Sequence, residues 1–371
     1  MPIYMDLHKV PGIEAKHAAE AHRADLQIQE KFGCRCLTYW VDEERGCAFC
    51  LIDAPDEQSV IDMHNDAHGL IPHEIIQVNS NVVEAFLGRI TDPEIDYESP
   101  ESARSFCDPT FRVIVVCRCK DRVLSDQEYG PAKADKLFSL YFRLIRDNLE
   151  KYEGRQIEHR TDEFIISFVS AFQALRFTHQ LSEQMHVAAE LIELKIAVDA
   201  GLPVEKHKDL FGVTIGNALN MLHVGESNQI ICGPVLRKIY KDDPPFLFGE
   251  NQLRFLSQSD QESLNLLSKT LRGSFSDSNF GVADLSRQLA TSKSGLYRTC
   301  IHLFNKPPGD LLKDYRLNRS IALLRAGYNV GEAAFASGFA STSYFSKTFT
   351  DHYGLQPSQY QKFYLEKLNQ K

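Results

Sequence analysis

No stretch of this 371-residue chain approaches the roughly 18 consecutive apolar residues that a membrane-spanning helix needs. The opening Met1-Pro2-Ile3-Tyr4-Met5-Asp6 lacks the basic segment and apolar run of a secretory leader. The nine cysteines are odd in number and irregular in spacing. That argues against a disulfide framework and for reduced thiols in a cytoplasmic protein. Low-complexity tracts are missing too. What remains is ordinary globular composition, 43% hydrophobic and 25% charged, in a chain long enough for two or three domains.

Positive charge is scarce overall but not evenly so. The chain carries a net −9, yet Leu264 to Lys371 holds fourteen Lys/Arg against seven Asp/Glu. That local +7 leaves −16 for the rest, so a basic module sits on an acidic body and can neutralise phosphate locally.

The basic module contains a repeated pattern. Val282 to Leu289 reads as an apolar helix, Ala290-Thr291-Ser292 as a turn, and Lys293 to Ile301 as a second helix. Val330 to Ala336, Ser337-Gly338-Phe339 and Ala340 to Phe349 repeat it. Gly309 to Leu324 reads as a rigid connecting helix. The pattern predicts tandem helix-turn-helix units, each placing its second helix in a DNA major groove. Lys306-Pro307-Pro308, Tyr315-Arg316-Leu317, Ala336-Ser337-Gly338-Phe339, Ser343 to Phe349 and Gly354 to Tyr360 resemble the AraC/XylS family of transcriptional regulators over about 264–362. Ala333 departs from it, standing where the family more often carries a larger aliphatic residue. The exposed starts of the second helices supply the candidate DNA contacts: Lys293, Ser294 and Arg298, then Ser341, Thr342, Ser343 and Lys347. Hydroxyls and long cations reach base edges, and the cations also bind phosphate.

Residues 1 to about 93 read strand, helix, strand, strand, helix, strand, which predicts a ferredoxin-like βαββαβ unit. Six histidines fall in its first 73 residues. His64 and His68 are four apart on a predicted helix and share a face. Imidazoles so spaced can hold a borderline metal ion, and Cys50 on a neighbouring strand could add a thiolate. Cys47 and Cys50 lie three apart in a strand and face opposite sides, unlike a zinc knuckle. Met5 to His8, Glu20 to Leu26, Tyr39 to Asp42, Phe49 to Pro55 and His64 to Leu70 resemble a family of small ferredoxin-like proteins with nickel-binding members. The resemblance implies His8, His22, Cys50, His64 and His68 as metal candidates, for nickel or another divalent transition metal. Hydrogen-bonded structural histidines, or a site for an organic ligand, are the alternatives. His17 and His73 fall outside the matching blocks and read as surface residues.

An acidic, Pro- and Ser-bearing stretch, 94–109, is the expected linker. Residues 110–257 read as α/β and, over 111–240, resemble the catalytic domain of class III adenylate/guanylate cyclases, on Gly154-Arg155, Asp162 to Phe168, Leu210-Phe211-Gly212 and Ile215 to Ala218. That family needs two carboxylates for two metal ions, plus an Asn and an Arg for the transition state. Asp162 falls at the second carboxylate. The opening strand runs Val116-Cys117-Arg118-Cys119-Lys120, with no acid before Asp121. The family's base-binding Lys falls at Glu158, and its Asn and Arg near Gly216 and Asn220. The expectation is therefore a non-catalytic remnant that senses or dimerises, in a chain that is not an enzyme.

The expected whole is an α+β multidomain chain: a ferredoxin-like domain (1–93), a linker, a cyclase-like domain (110–257) and an all-α tandem helix-turn-helix domain (260–371). It is expected to bind double-stranded DNA as a homodimer, with a metal or small-molecule effector and no membrane. A nucleotide cyclase with a DNA module, or a metal-buffering protein, are the competing classes.

Overall fold

The computed structural model describes residues 1–92, 110–160, 162–188, 193–205, 209–224, 229–240 and 252–368. The expected linker lies outside them. The first unit runs β1 (Ile3–Lys9), α1 (Ala15–Ile28) with a 3-10 turn Gln29–Phe32, β2 (Arg35–Asp42), β3 (Cys47–Asp53), α2 (Glu57–Ala67), β4 (Glu74–Val78) and α3 (Ser80–Leu87). Its antiparallel sheet has the order β2-β3-β1-β4, the expected ferredoxin-like arrangement. Gly46 takes φ +60 in the hairpin turn, a conformation that favours glycine. α3 was not legible in the sequence, because eight mostly apolar residues carry no clear period.

Strand alternation divides β1 between two environments. Tyr4, Asp6 and His8 turn toward α1 and α2, while Met5 and Leu7 join a core that continues through Phe86 and Leu87 into the second unit.

The second unit runs β5 (Arg112–Cys119), α4 (Arg122–Tyr129), α5 (Pro131–Lys151), β6 (Arg155–Arg160), β7 (Glu163–Phe168), α6 (Ala171–Ala188), β8 (Leu194–Gly201), α7 (Gly212–Met221), β9 (Ile230–Cys232), α8 (Pro234–Tyr240) and β10 (Leu253–Phe255). The six-stranded sheet has the order β10-β9-β8-β5-β7-β6, parallel across β8-β9-β10 and antiparallel elsewhere. Val113, Val115 and Cys117 pack with the apolar faces of α5 and α6. Ile114 and Val116, one residue out of step, share the first sheet's core with Met5, Phe49 and Phe211. The two sheets therefore meet inside one chain, with Phe86 and Phe211 rings 4.7 Å apart.

The third unit comprises α9 (Gln258–Ser274), α10 (Val282–Gln288), α11 (Lys293–Phe304), α12 (Pro308–Arg325), α13 (Val330–Ala336), α14 (Thr342–Tyr353) and α15 (Pro357–Leu368). Caps set most boundaries. Ser292 and Ser341 accept from Gly295 N and Tyr344 N, and Asn329 and Glu332 form a reciprocal box. Both helix-turn-helix pairs and the connecting α12 stand where the pattern predicts. Among the described residues no helix is long and apolar enough to cross a membrane, and every cysteine there is a free thiol.

Candidate functional site

In the first unit, β1, α1 and α2 bring five charged or ionisable side chains into one line. His64 Nε2 lies 2.8 Å from Asp6 Oδ2, and its Nδ1 3.1 Å from Asp25 Oδ1. His68 Nε2 lies 3.2 Å from the same Asp25 oxygen, and His8 Nε2 3.4 Å from Asp6 Oδ2 without hydrogen-bond geometry. Imidazole and carboxylate thus alternate from His8 through Asp6, His64 and Asp25 to His68. Asp6, His64 and Asp25 are almost fully buried. Carboxylates only accept, so His64 donates from both nitrogens and is an imidazolium. Burial opposes its charge, but the bonds to Asp25 and Asp6 prevail and lift it to about 10. Burial would raise Asp6, yet His8 and His64 hold it well below the usual carboxylate range. Burial, with Asp6 nearby, drives the Cys50 thiol far upward.

Asp6, His8, Cys50 and His64 offer ligand atoms within 4.8 Å of one another, and Asp25, His64 and His68 form a second such group. One carboxylate, two imidazoles and a thiol suit a borderline divalent metal, and the unpartnered His8 Nε2 is a donor in waiting. Of the sequence candidates, His8, Cys50, His64 and His68 come together. His22 stands outside both groups, with Nε2 3.1 Å from Asp92 Oδ2. His17 and His73 are exposed. Sequence reasoning missed Asp6 and Asp25. The signals were an acid two residues before His8 on one strand face and an acid on the apolar stripe of α1. Beside the cluster, β1, β2, β3, α1 and the loops at residues 10–13 and 68–70 line a partly open cavity of about 300 Å³, with His8, His22, Cys50 and His68 among mainly apolar residues.

On the third unit Lys293, Ser294, Arg298, Ser341, Ser343 and Lys347 are exposed and Thr342 is half-buried. Ser341 Oγ caps α14, and Ser294 Oγ lies 3.1 Å from the α11 cap Ser292, so these hydroxyls also serve the helix starts. Tyr297 and Tyr344, more than half exposed on the same two helices, were missed. A large aromatic on an otherwise polar helix face was the available signal. Arg316 does not face outward for DNA. It donates to the carbonyls of Phe275, Asp277 and Phe280 and ties α12 to the end of α9. Gly338, at φ +87, lies where a Cβ would meet Phe275 O at 1.9 Å, so the second turn requires glycine.

In the second unit, Asp121 caps α4 through Oδ1 to Leu124 N at 3.0 Å. Its Oδ2 accepts from Tyr360 Oη at 2.7 Å and from Arg325. Arg325 also lies 3.6 Å from Asp162 Oδ2. Burial works against the guanidinium, but Asp121, Tyr360 and Asp162 hold its pKa above even the ordinary arginine value. Asp121 and Asp162 of the second unit thus share an arginine from the third unit. Glu158 pairs with Arg160, and Asn220 donates to Asn265 of α9.

Residues 4–78 match the family described as nickel responsive protein SCO4226-like, and residues 285–362 match the helix-turn-helix domain family. The chain therefore carries an SCO4226-like domain at its start and an AraC-type helix-turn-helix domain near its end. A curated relative, Histidine kinase P4 of Formosa agariphila, is 30% identical over 112 residues, covering 30% of this chain and 8% of that protein. The chain thus spans less than a tenth of that relative's length. SCO4226 of Streptomyces coelicolor A3(2) is 30% identical over 20% of this chain and 94% of its own, at a TM-score of 0.20. An AraC-type transcriptional regulator from Chromobacterium violaceum is 20% identical over 29% and 95%, at 0.27. An adenylate/guanylate cyclase/hydrolase from Silicibacter pomeroyi is 20% identical over 36% and 82%, at 0.31.

Proposed function

We propose that the chain is a sequence-specific DNA-binding transcriptional regulator, not an enzyme, with its input in the first unit and DNA as its output. The observation that carries this is the AraC-type tandem helix-turn-helix, whose candidate contacts on α11 and α14 are largely open to solvent and include three cations. Lys293, Arg298 and Lys347 meet phosphates or base edges, with Ser294, Ser341, Thr342 and Ser343 beside them. The domain division on this reading is 1–93, 110–257 and 260–371.

The input is a divalent transition metal, nickel first, held by Asp6, His8, Cys50 and His64, with Asp25 and His68 behind them. When bound, the metal supplies multivalent positive charge at the junction of β1, β3 and α2. To receive it, His64 gives up a proton and Cys50 its thiol hydrogen. The back of the same sheet shares one core with α7 and α9, a contiguous route from the input to the first helix-turn-helix. The second helix-turn-helix is held on α4 by Arg325, Tyr360 and Asp121, and by Lys367 Nζ 2.5 Å from Asp126. The second unit acts as a brace that fixes both modules.

Non-catalysis is supported by the arginine occupying Asp121 and Asp162, so incubation with ATP or GTP and Mn²⁺ should yield no cyclic nucleotide. A homodimer completes the proposal. The two sheets already cover each other within one chain, so a second copy must meet another surface, and sedimentation checks the stoichiometry. Selection from a random duplex pool tests the whole. Arg298→Ala and Lys347→Ala each should cost roughly 1–3 kcal/mol in discrimination, while absence of any enriched sequence refutes the reading.

A further inference from the structure

The cavity beside the histidine cluster is far larger than a metal ion requires. Its walls include small side chains of α1, Ala18 and Ala21, with Tyr39 and Ala48 of the sheet, and the space is about 300 Å³. A core needing only to be filled would carry leucine or isoleucine at the α1 positions. Leu70, which also lines it, leaves 43% of its surface in solvent, so an occupant would cover apolar area that is now exposed. A water molecule needs two to four polar partners, and mainly apolar walls offer it few.

Most polar groups on the lining are already engaged. Asp25 is met by His64 and His68, and His68 Nδ1 accepts from Leu70 N at 3.1 Å. His17 Nδ1 accepts from Glu14 N at 3.3 Å, and His8 Nε2 and the Cys50 thiol face Asp6. His22 differs. It is 5% exposed, yet its Nδ1 has no hydrogen-bond partner. A buried polar atom left so is rare and calls for one. Asp92 only accepts, so His22 Nε2, 3.1 Å from it, carries a hydrogen. Nδ1 is then a lone pair in the neutral ring or an N–H in the charged one. A hydroxyl donates and accepts, and so meets either. Asp92 is itself met by His22 and Arg89, so neither it nor Asp25 calls for a charged occupant.

We infer that this cavity binds a neutral, apolar molecule of one or two rings that carries one hydroxyl, and that the hydroxyl meets His22 Nδ1. A body of that size suits the small end of ligand pockets. The inference goes beyond the metal reading and does not need it, because His22 belongs to neither metal group.

The test uses the full chain in EDTA and four probes with one bicyclic body: 2-naphthol, 2-methylnaphthalene, 2-naphthoate and 2-naphthylmethylamine. Calorimetry should show one 2-naphthol per chain, bound at least about tenfold more tightly than any of the others. Ala21→Leu, which fills the cavity, should weaken 2-naphthol at least about tenfold. His22→Phe should bring 2-naphthol and 2-methylnaphthalene to within about threefold of each other, because the methyl no longer leaves a nitrogen unmet. Hydrogen exchange in α1 and α2 reports whether each variant is folded. Equal or tighter binding of the methyl, anionic or cationic probe by the unaltered chain overturns the inference without recourse to any variant. So does 2-naphthol affinity unchanged in Ala21→Leu, or a preference for the hydroxyl that survives His22→Phe. Nickel binding, measured separately without EDTA, bears on the metal reading alone.

Discussion

Two largely buried clusters that gather carboxylates around a cation, one in the first unit and one between the second and third, differ in which cation they chose. In the first unit Asp6 and Asp25 flank His64, whose charge is a proton that can leave. In the second, Asp121 and Asp162 share Arg325, whose charge cannot leave at any ordinary pH. The first cluster keeps an unpartnered nitrogen at His8 and a cavity alongside. The second is closed by buried Tyr360 and by an apolar cluster joining Val123 and Leu124 of α4 to Leu317, Phe345 and Phe349 of the DNA-binding unit. A site built on imidazole stays exchangeable and suits an input. A site built on guanidinium is a fastening.

The largest effect should come from undoing the fastening. Arg325→Met strands Asp121 among its neighbours, and losing one partner of a largely buried pair should cost about 3 kcal/mol, read by urea unfolding. Hydrogen exchange in α4 and α15 should rise together while α1 and α2 stay unchanged. An Arg325→Lys variant should recover part of the loss. If α4 and α15 exchange as before, the two sites are not different in kind.

Next in size is the orienting acid of the first cluster. Asp25→Asn keeps the shape but removes the charge behind His64 and His68, and should weaken nickel roughly 10–100-fold by titration calorimetry. The matching change Asp162→Asn in the second unit should leave nickel affinity alone.

The pH dependence separates the two further. His64 is raised from an ordinary 6.5 to about 10, so its contribution to stability is complete below 6.5 and is lost as pH climbs toward 10. Asp6 and Asp25 are depressed, so theirs is present above about 3.8 and is lost as pH falls below it. Protection of metal-free α1 and α2, relative to the intrinsic exchange rate, should therefore be greatest between about pH 4 and 6.5 and fall toward 10. Protection of α4 and α15 should not change over that upper range. Nickel affinity should rise with pH across the same interval, because the ion displaces the proton from His64. The smallest expected change is Cys50→Ser, which removes one soft donor and should shift preference from nickel toward harder ions with little loss of stability.

The parts of this comparison differ in how readily the sequence disclosed them. The tandem modules were legible because their period, turns and caps are local: Ser292, Asn329 and Ser341 act within a few residues of where they stand. The βαββαβ order was legible for the same reason. The short helices α3 and α4 were not, since eight residues barely complete two turns. The histidine cluster was half legible. His64 and His68 announce themselves by spacing, whereas Asp6 and Asp25 matter only once β1 and α1 are packed against α2. The Asp121–Arg325 contact spans 204 positions and Asp121–Tyr360 spans 239, so no local pattern could forecast either.

The most direct measurement is selection of bound duplexes from a random pool by the full chain, with and without nickel. Enrichment of a two-part element, its halves about one helical turn apart, with an enrichment that nickel alters in the unaltered chain and not in a His8→Ala/His64→Ala variant, is the predicted result. A pool that emerges with no sequence preference, or a preference indifferent to nickel in both proteins, would contradict a DNA output governed from the histidine cluster.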